Sequence, residues 1–258
     1  MFWRAKSPLK ADDEDWQFAC WAWFLRHFGG ADAMRARPLI LPTGAFFTRP
    51  KATGHAAAQD IFDQTARHFG LDPAEFRLVP QAKGIDPNLG PHQFVANAPS
   101  GPAGTFSVTR GGTLKITYRP ELVAEPMQLV ATFAHEICHP LLLAIETPPP
   151  GGEDMEEFAT DLAVSFFGFG IFNANTAAIF RQFSDAGTGS QRWTMERQGY
   201  LSPAERAFAL ARFVSGRADD ERDARLFLDQ GPLAYFSKAV KYLAANPGIA
   251  SRPIADDG

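Results

Sequence analysis

Residues 127–170 read MQLVATFAHEICHPLLLAIETPPPGGEDMEEFATDLAVSFFGFG, and their interpretation decides how the remainder of the chain is organised. The centre is His135-Glu136-Ile137-Cys138-His139, an H-E-x-x-H pattern. In a helix, residues four apart share a face, so both imidazoles can turn toward one ion while Glu136, one position along, reaches a water bound to it. Pro126 suits a first helical turn, and Leu129, Val130 and Phe133 fall at core spacing. Glu157 and Asp161 repeat the four-residue spacing eighteen residues after His139, at the start of a second, largely apolar helix. A carboxylate inside such a helix needs a partner, because burying it unpaired costs several kcal/mol or shifts its pKa. Two helices offering paired ligands or ligand-orienting groups to a common point make a Zn²⁺ site. The competing interpretation is a pair of core histidines, with the acidic cluster Glu153, Asp154, Glu156 and Glu157 as a solvated first turn favoured by the helix dipole.

HEICH followed by EFATD resembles the gluzincin metallopeptidases over about 45 residues. The resemblance implies a zincin-like fold, with Zn²⁺ bound by His135, His139 and Glu157, Glu136 as general base, and Asp161 orienting a ligand imidazole. It also implies a peptide or protein substrate and an extended strand, TLKITYR, bordering the cleft just before the motif helix. Glu156 rivals Glu157 as third ligand, but only Glu157 keeps the spacing to Asp161. The segments RPLILPTGAFF, TDLAVSFFGFGIFNAN and GYLSPAERAFALA further resemble bacterial H-E-x-x-H proteins that carry no established activity. The alternative to a peptidase is therefore a zinc-containing binding or regulatory protein with a gluzincin-like fold and little or no proteolysis. One feature departs from the pattern. Pro140 removes a helix hydrogen bond to Glu136 and biases His139 away from helical dihedrals, so a kink or an end is expected there.

Composition bounds the other possibilities. A chain of 258 residues, 45% hydrophobic and 12% aromatic, can bury a sizeable core. A formal net charge of -4 leaves no basic footprint for nucleic acid. No run reaches the roughly 18 apolar residues of a membrane helix, and the polar N-terminus carries no secretory pattern, so a cytoplasmic location is expected. Cys20 and Cys138 do not make a disulfide framework, and Cys138 faces away from the two motif histidines on a helix.

The predicted architecture is α+β: a small mixed sheet with an edge strand packed on the active-site helix, followed by a mainly helical C-terminal part. Residues 1–100 form an N-terminal α+β portion and 101–258 the core and helical portion, together one compact unit. Residues 11–29 carry early acidic residues, an apolar stripe through Trp16, Cys20, Trp23, Phe24 and His27, and a terminal Gly, and so predict a helix packed on the core. Residues 38–42 (PLILP) read as an edge strand, 55–69 as a helix and 76–80 as a strand. The Gly-, Pro- and Asn-rich run 81–104, which contains His92, is a long loop and a candidate lid. Residues 105–110 and 113–119 flank Gly111 and Gly112 as a hairpin, with Tyr118 either facing the cleft or structural. Pro148–Gly152 (PPPGG) separates the two metal helices as a loose segment. Ser202, Pro203 and Glu205 form a capping box. ADDERDAR reads as a charge-rich solvated turn, and 232–245 as a final helix. Arg197 and Tyr200 are candidates for the donor that amide hydrolysis needs opposite the metal.

Overall fold

The computed structural model describes residues 6–82, 103–109, 111–184 and 200–250. Helix α1 (Ala11–His27) opens on Asp12, Asp13 and Glu14 and closes on Arg26 and His27, a charge order that complements the helix dipole. Its stripe turns inward, with Cys20, Trp23 and Phe24 buried. Helix α2 (Gly30–Ala36) is short, and α3 (Gly54–His68) follows. Three strands come next: β1 (Phe76–Pro80), β2 (Gly104–Val108) and β3 (Leu114–Tyr118). The rest is helical: α4 (Pro126–Leu143), α5 (Glu156–Phe166), α6 (Gly170–Ser184), α7 (Pro203–Phe213), α8 (Ala218–Phe227), α9 (Gln230–Ala245) and the short α10 (Pro247–Ala250). The molecule is thus α+β, with a small mixed sheet and a predominance of helix. Among the described residues no helix is long and apolar enough to cross a membrane.

The sheet order is β1-β3-β2. β2 and β3 form the expected hairpin, with Gly104 opposite Tyr118 and Val108 opposite Leu114. β1 lies parallel to β3 on its other side, Phe76 beside Leu114. This corrects the assignment of TLKITYR to the cleft edge. Its strand is the central one, and the strand at the edge beside α4 is β2. Hairpin periodicity shows that β2 and β3 pair but carries no information about where the distant β1 adds. Tyr118 accordingly faces the core: it is buried, its hydroxyl lies 3.0 Å from His55 Nδ1, and its ring stands edge-on to Phe133.

One hydrophobic core joins residues from both portions of the chain. Phe62 of α3 packs edge-on against Phe133 of α4 at 5.3 Å, and Trp21 of α1 against Phe166 of α5 at the same centroid distance. Such edge-to-face pairs contribute about 0.5–1.5 kcal/mol beyond their buried area. The PPPGG segment is tied down rather than loose. Trp16 Nε1 donates to the Pro150 carbonyl at 2.8 Å and Trp23 Nε1 to Thr147 Oγ1 at 3.2 Å, so two indoles of α1 grip the connection between α4 and α5. His27 serves the same contact, 3.4 Å from Thr147 Oγ1.

Three further expectations change. Residues 38–42 form no strand, since prolines at both ends remove ladder donors. One hydrogen bond, Ile40 N to the Gly168 carbonyl at 3.0 Å, docks the segment on the α5–α6 connection. ADDERDAR lies in helix α8 instead of a turn: Asp219, Asp220 and Glu221 occupy its first turn, Glu221 pairs with Arg225 one turn on, and Ala224 is buried. Helix α4 does not end at Pro140. Pro140 lacks only its own N–H, Ala144 N donates to the Pro140 carbonyl at 3.2 Å and the helix runs on to Leu143, so of the expected kink or end it is the end that does not occur. The capping box is present as read, with Ser202 N donating to Glu205 Oε2 at 2.8 Å and Glu205 N to Ser202 Oγ at 3.3 Å.

Between α5 and α6 the chain turns at Gly168, whose φ is +95°, and a Cβ there would lie 2.3 Å from the Pro38 carbonyl oxygen. Left-handed strain and a backbone clash then add. Replacing Gly168 by Ala is expected to lower stability by about 2–4 kcal/mol, measured by urea unfolding. An unchanged unfolding midpoint would show that the docking of 38–42 on this turn is not tight.

Candidate metal centre

Helix α4 brings His135, Glu136 and His139 to one place. Their ligand atoms lie within 4.8 Å of one another, a group able to hold a metal ion. The imidazoles of His135 and His139 stand nearly perpendicular, with centroids 4.9 Å apart. Helix α5 presents Glu157 to both: its Oε2 is 3.4 Å from His135 Nε2 and its Oε1 is 3.8 Å from His139 Nε2. A tetrahedral ion with bonds of about 2.0–2.1 Å separates its ligand atoms by about 3.3 Å. The Glu157–His135 distance matches that spacing and the Glu157–His139 distance exceeds it by about half an ångström, within the reach of a rotamer adjustment. The donor set of two nitrogens and one carboxylate oxygen suits zinc.

Glu136 differs from the other members. Its side chain is buried, its Oε2 has no hydrogen-bond partner among the described residues, and that oxygen lies 3.9 Å from His139 Nε2. A buried carboxylate oxygen left without a partner is costly unless something else occupies its surroundings. Here the free oxygen borders the cavity where an ion and its water would sit.

Electrostatics separate the roles further. Burial lowers the proton affinity of His135, but the carboxylates of Asp161 and Glu157, together with Glu136, outweigh it and push its pKa up to about 10. Burial, reinforced by the charge of His135, pulls His139 down to about 4 against the opposing charge of Glu157. Burial also raises Glu136 to about 7, so in the ion-free site this carboxyl is poised to give or take a proton near neutrality. Glu157 and Asp161 go the other way. Their burial penalty is exceeded by His135 and His139 for Glu157, and by Arg206, His135 and the Leu201 amide for Asp161, so both stay ionised.

Asp161 lies behind His135, with its Oδ1 3.8 Å from Nδ1. That is a charge contact longer than a formed hydrogen bond. Its Oδ2 accepts from Arg206 Nη2 and from the Leu201 amide, each at 2.9 Å. With Nδ1 directed at Asp161, the Nε2 of His135 is left to face the cavity.

The cavity, about 340 Å³, is lined by His135, Glu136 and His139 of α4, by Gly104, Thr105 and Phe106 of β2, and by Glu157 and Tyr200. Phe106 stacks parallel to His139, with ring centroids 6.1 Å apart. Tyr200 lies 5.6 Å from the His135 ring, between centroids. Burial, then the charges of Glu157, Glu136 and Asp161, raise its pKa, keeping the phenol a proton-bearing donor.

The structure therefore gathers His135, Glu136, His139, Glu157, Asp161 and Tyr200 in one site. Among the described residues no ion pair joins Glu156, the rival ligand, to either motif histidine, whereas Glu157 approaches both. Cys138 is buried away from the cavity lining, and burial followed by the charges of Asp161 and Glu136 raises its thiol pKa, as suits a packing residue. Arg197, His92 and residues 83–102 of the candidate lid lie outside the described residues. Sequence reasoning missed Arg206 and the β2 wall. Arg206 heads an apolar stripe continued by Leu210 and Phe213, so a charge on the buried face of α7 was its one sequence signal. Nothing local marked β2 as the wall.

Comparison of the chain with protein-family models, with curated proteins and with solved structures returned no match.

A Cβ on Gly104 would meet Thr132 Cγ2 at 2.7 Å, the Thr117 carbonyl oxygen at 2.9 Å and Glu136 Cγ at 3.0 Å. The missing side chain lets β2 lie close beside Glu136. Gly104→Ala is expected to destabilise the fold by about 1–3 kcal/mol and to displace Glu136. A crystal structure of the variant, read with its unfolding midpoint, checks this; an unmoved Glu136 carboxylate would show that β2 does not set its position.

Proposed function

We propose that this protein is a zinc-dependent peptidase of gluzincin type with a zincin-like fold. The reading is supported above all by one observation: a buried Glu136 oxygen, without a hydrogen-bond partner among the described residues, is grouped with His135 and His139 at the wall of a cavity that Glu157 also lines. His135, His139 and Glu157 would hold the ion. When bound, Zn²⁺ lowers the pKa of a water toward about 7 and polarises the carbonyl to be attacked.

The protein's own groups do the rest. Glu136 accepts the proton of the attacking water on Oε2 and passes it to the leaving amine. Asp161 keeps the His135 ring turned so that Nε2 faces the cavity. The Tyr200 hydroxyl donates to the negative charge that develops on the carbonyl oxygen. An extended peptide adds to the edge of β2, whose Gly104, Thr105 and Phe106 line the cavity, and backbone hydrogen bonds hold it with little dependence on side chains.

A second reading has its own support. Glu136 is within 4.8 Å of both motif histidines and could serve as a fourth protein ligand. Such a closed site belongs to a zinc-containing binding or regulatory protein with little proteolysis.

Glu136→Gln separates the two. The peptidase reading expects hydrolysis of a mixed peptide library to fall about 10²- to 10⁴-fold while zinc content, measured by atomic absorption, is unchanged. Loss of zinc together with the side chain would favour the closed site, and unchanged hydrolysis would remove the general-base role. Chelation with 1,10-phenanthroline should abolish hydrolysis and added Zn²⁺ restore it. Hydrolysis that survives in the zinc-free chain would rule out a metallopeptidase.

A further inference from the structure

Arg206 lies on α7, outside the cavity lining, yet it is 1% exposed and all three of its nitrogens meet groups around the site. Nη2 meets Asp161 Oδ2 at 2.9 Å, Nε donates to the Leu201 carbonyl at 3.2 Å, and Nη1 donates to the Asn173 carbonyl at 3.1 Å. The Leu201 amide in turn donates to Asp161 Oδ2 at 2.9 Å. Leu201 is therefore gripped at both its N–H and its C=O by one buried ion pair. The residue before it is Tyr200, which lines the cavity; the other oxygen of Asp161 faces Nδ1 of His135.

We propose that Arg206 is a positioning residue for the metal centre, one guanidinium that sets the His135 ring through Asp161 and the Tyr200 phenol through Leu201. The inference rests on the zinc reading of the site. Stability alone does not call for this pair, because a buried ion pair replaced as a whole by neutral groups of similar volume is often neutral or stabilising. What the pair supplies is geometry. A planar fork reaches three acceptors in fixed directions, whereas the point charge of a lysine on a flexible stem does not. Asn173 completes the frame: its side chain donates to the Asp161 backbone carbonyl at 2.8 Å, and its own carbonyl accepts from Arg206.

The experiment uses the full chain with Co²⁺ as a spectroscopic stand-in for zinc. Arg206→Lys keeps the charge; the double variant Asp161→Asn with Arg206→Met removes both charges, so neither is stranded in the core. Co²⁺ affinity is measured by competition with a chromophoric chelator, the ligand field by visible absorption, and folding of the metal-free forms by circular dichroism. Affinity is expected to fall about 10- to 100-fold in both variants, as for other groups that orient metal ligands, with an altered visible spectrum and retained folding. In Arg206→Lys, kcat should fall more than KM rises, because Tyr200 acts on the transition state. If the wild type binds Co²⁺ tightly and either folded variant keeps its affinity within twofold and its spectrum, the positioning role is wrong while the metal site stands. A wild-type chain that takes up neither Co²⁺ nor Zn²⁺ overturns the metal reading and this proposal together.

Discussion

A carboxylate buried inside an apolar helix is the constraint on which the arrangement turns. Asp161 is 1% exposed and flanked along α5 by Ala159, Leu162 and Val164, all buried. Ionised there without compensation, it would cost several kcal/mol or take up a proton. Compensation comes from three directions: His135 on α4, Arg206 on α7 and the Leu201 amide that precedes α7. Asn173 of α6 adds a bond to the Asp161 backbone carbonyl. The requirement to satisfy one charge thus fixes four segments relative to one another. Because charge-assisted hydrogen bonds are directional, it fixes them more narrowly than apolar packing would.

The candidate site inherits that order. The partners of Asp161 lie behind the histidine plane, while Glu136, Glu157 and Tyr200 face the cavity. A hydrogen-bonded polar layer therefore backs His135 on one side, while the groups on the other side line the cavity. The N-terminal portion contributes indirectly. Trp16 and Trp23 of α1 tie down the connection that determines where α5 begins, and hence where Glu157 stands relative to α4. β1 flanks β3, leaving β2 at the edge, where Gly104 permits close approach to the motif helix.

Much of this was legible in the residue order, and the limits have physical causes. The four-residue spacings of His135 with His139 and of Glu157 with Asp161 are properties of one helix each, so local periodicity announced them. The α7 capping box was legible for the same reason, because Ser202 and Glu205 satisfy each other within one turn. Errors arose where a local signal competed with a tertiary one. PLILP has strand composition, but its prolines and its docking on Gly168 leave it outside the sheet. ADDERDAR looks like a solvated turn until its ion pairs one helical turn apart and its buried Ala224 are seen together. Pro140 looks like a helix stop, yet it stands late enough in α4 that the last turn closes without its N–H.

Residue order alone marks the identity and spacing of the candidate ligands, because those depend on the 3.6-residue repeat and on nothing distant. It also determined the α+β character and the helical C-terminal third. What came only with the folded chain is that β2 rather than β3 walls the cavity, that Glu157 of α5 meets both histidines of α4, and that Arg206 pairs with Asp161. Each of those depends on the meeting of segments tens of residues apart. Such meetings are selected by the summed burial of apolar surface and the satisfaction of a few buried charges, quantities that no short window of sequence contains.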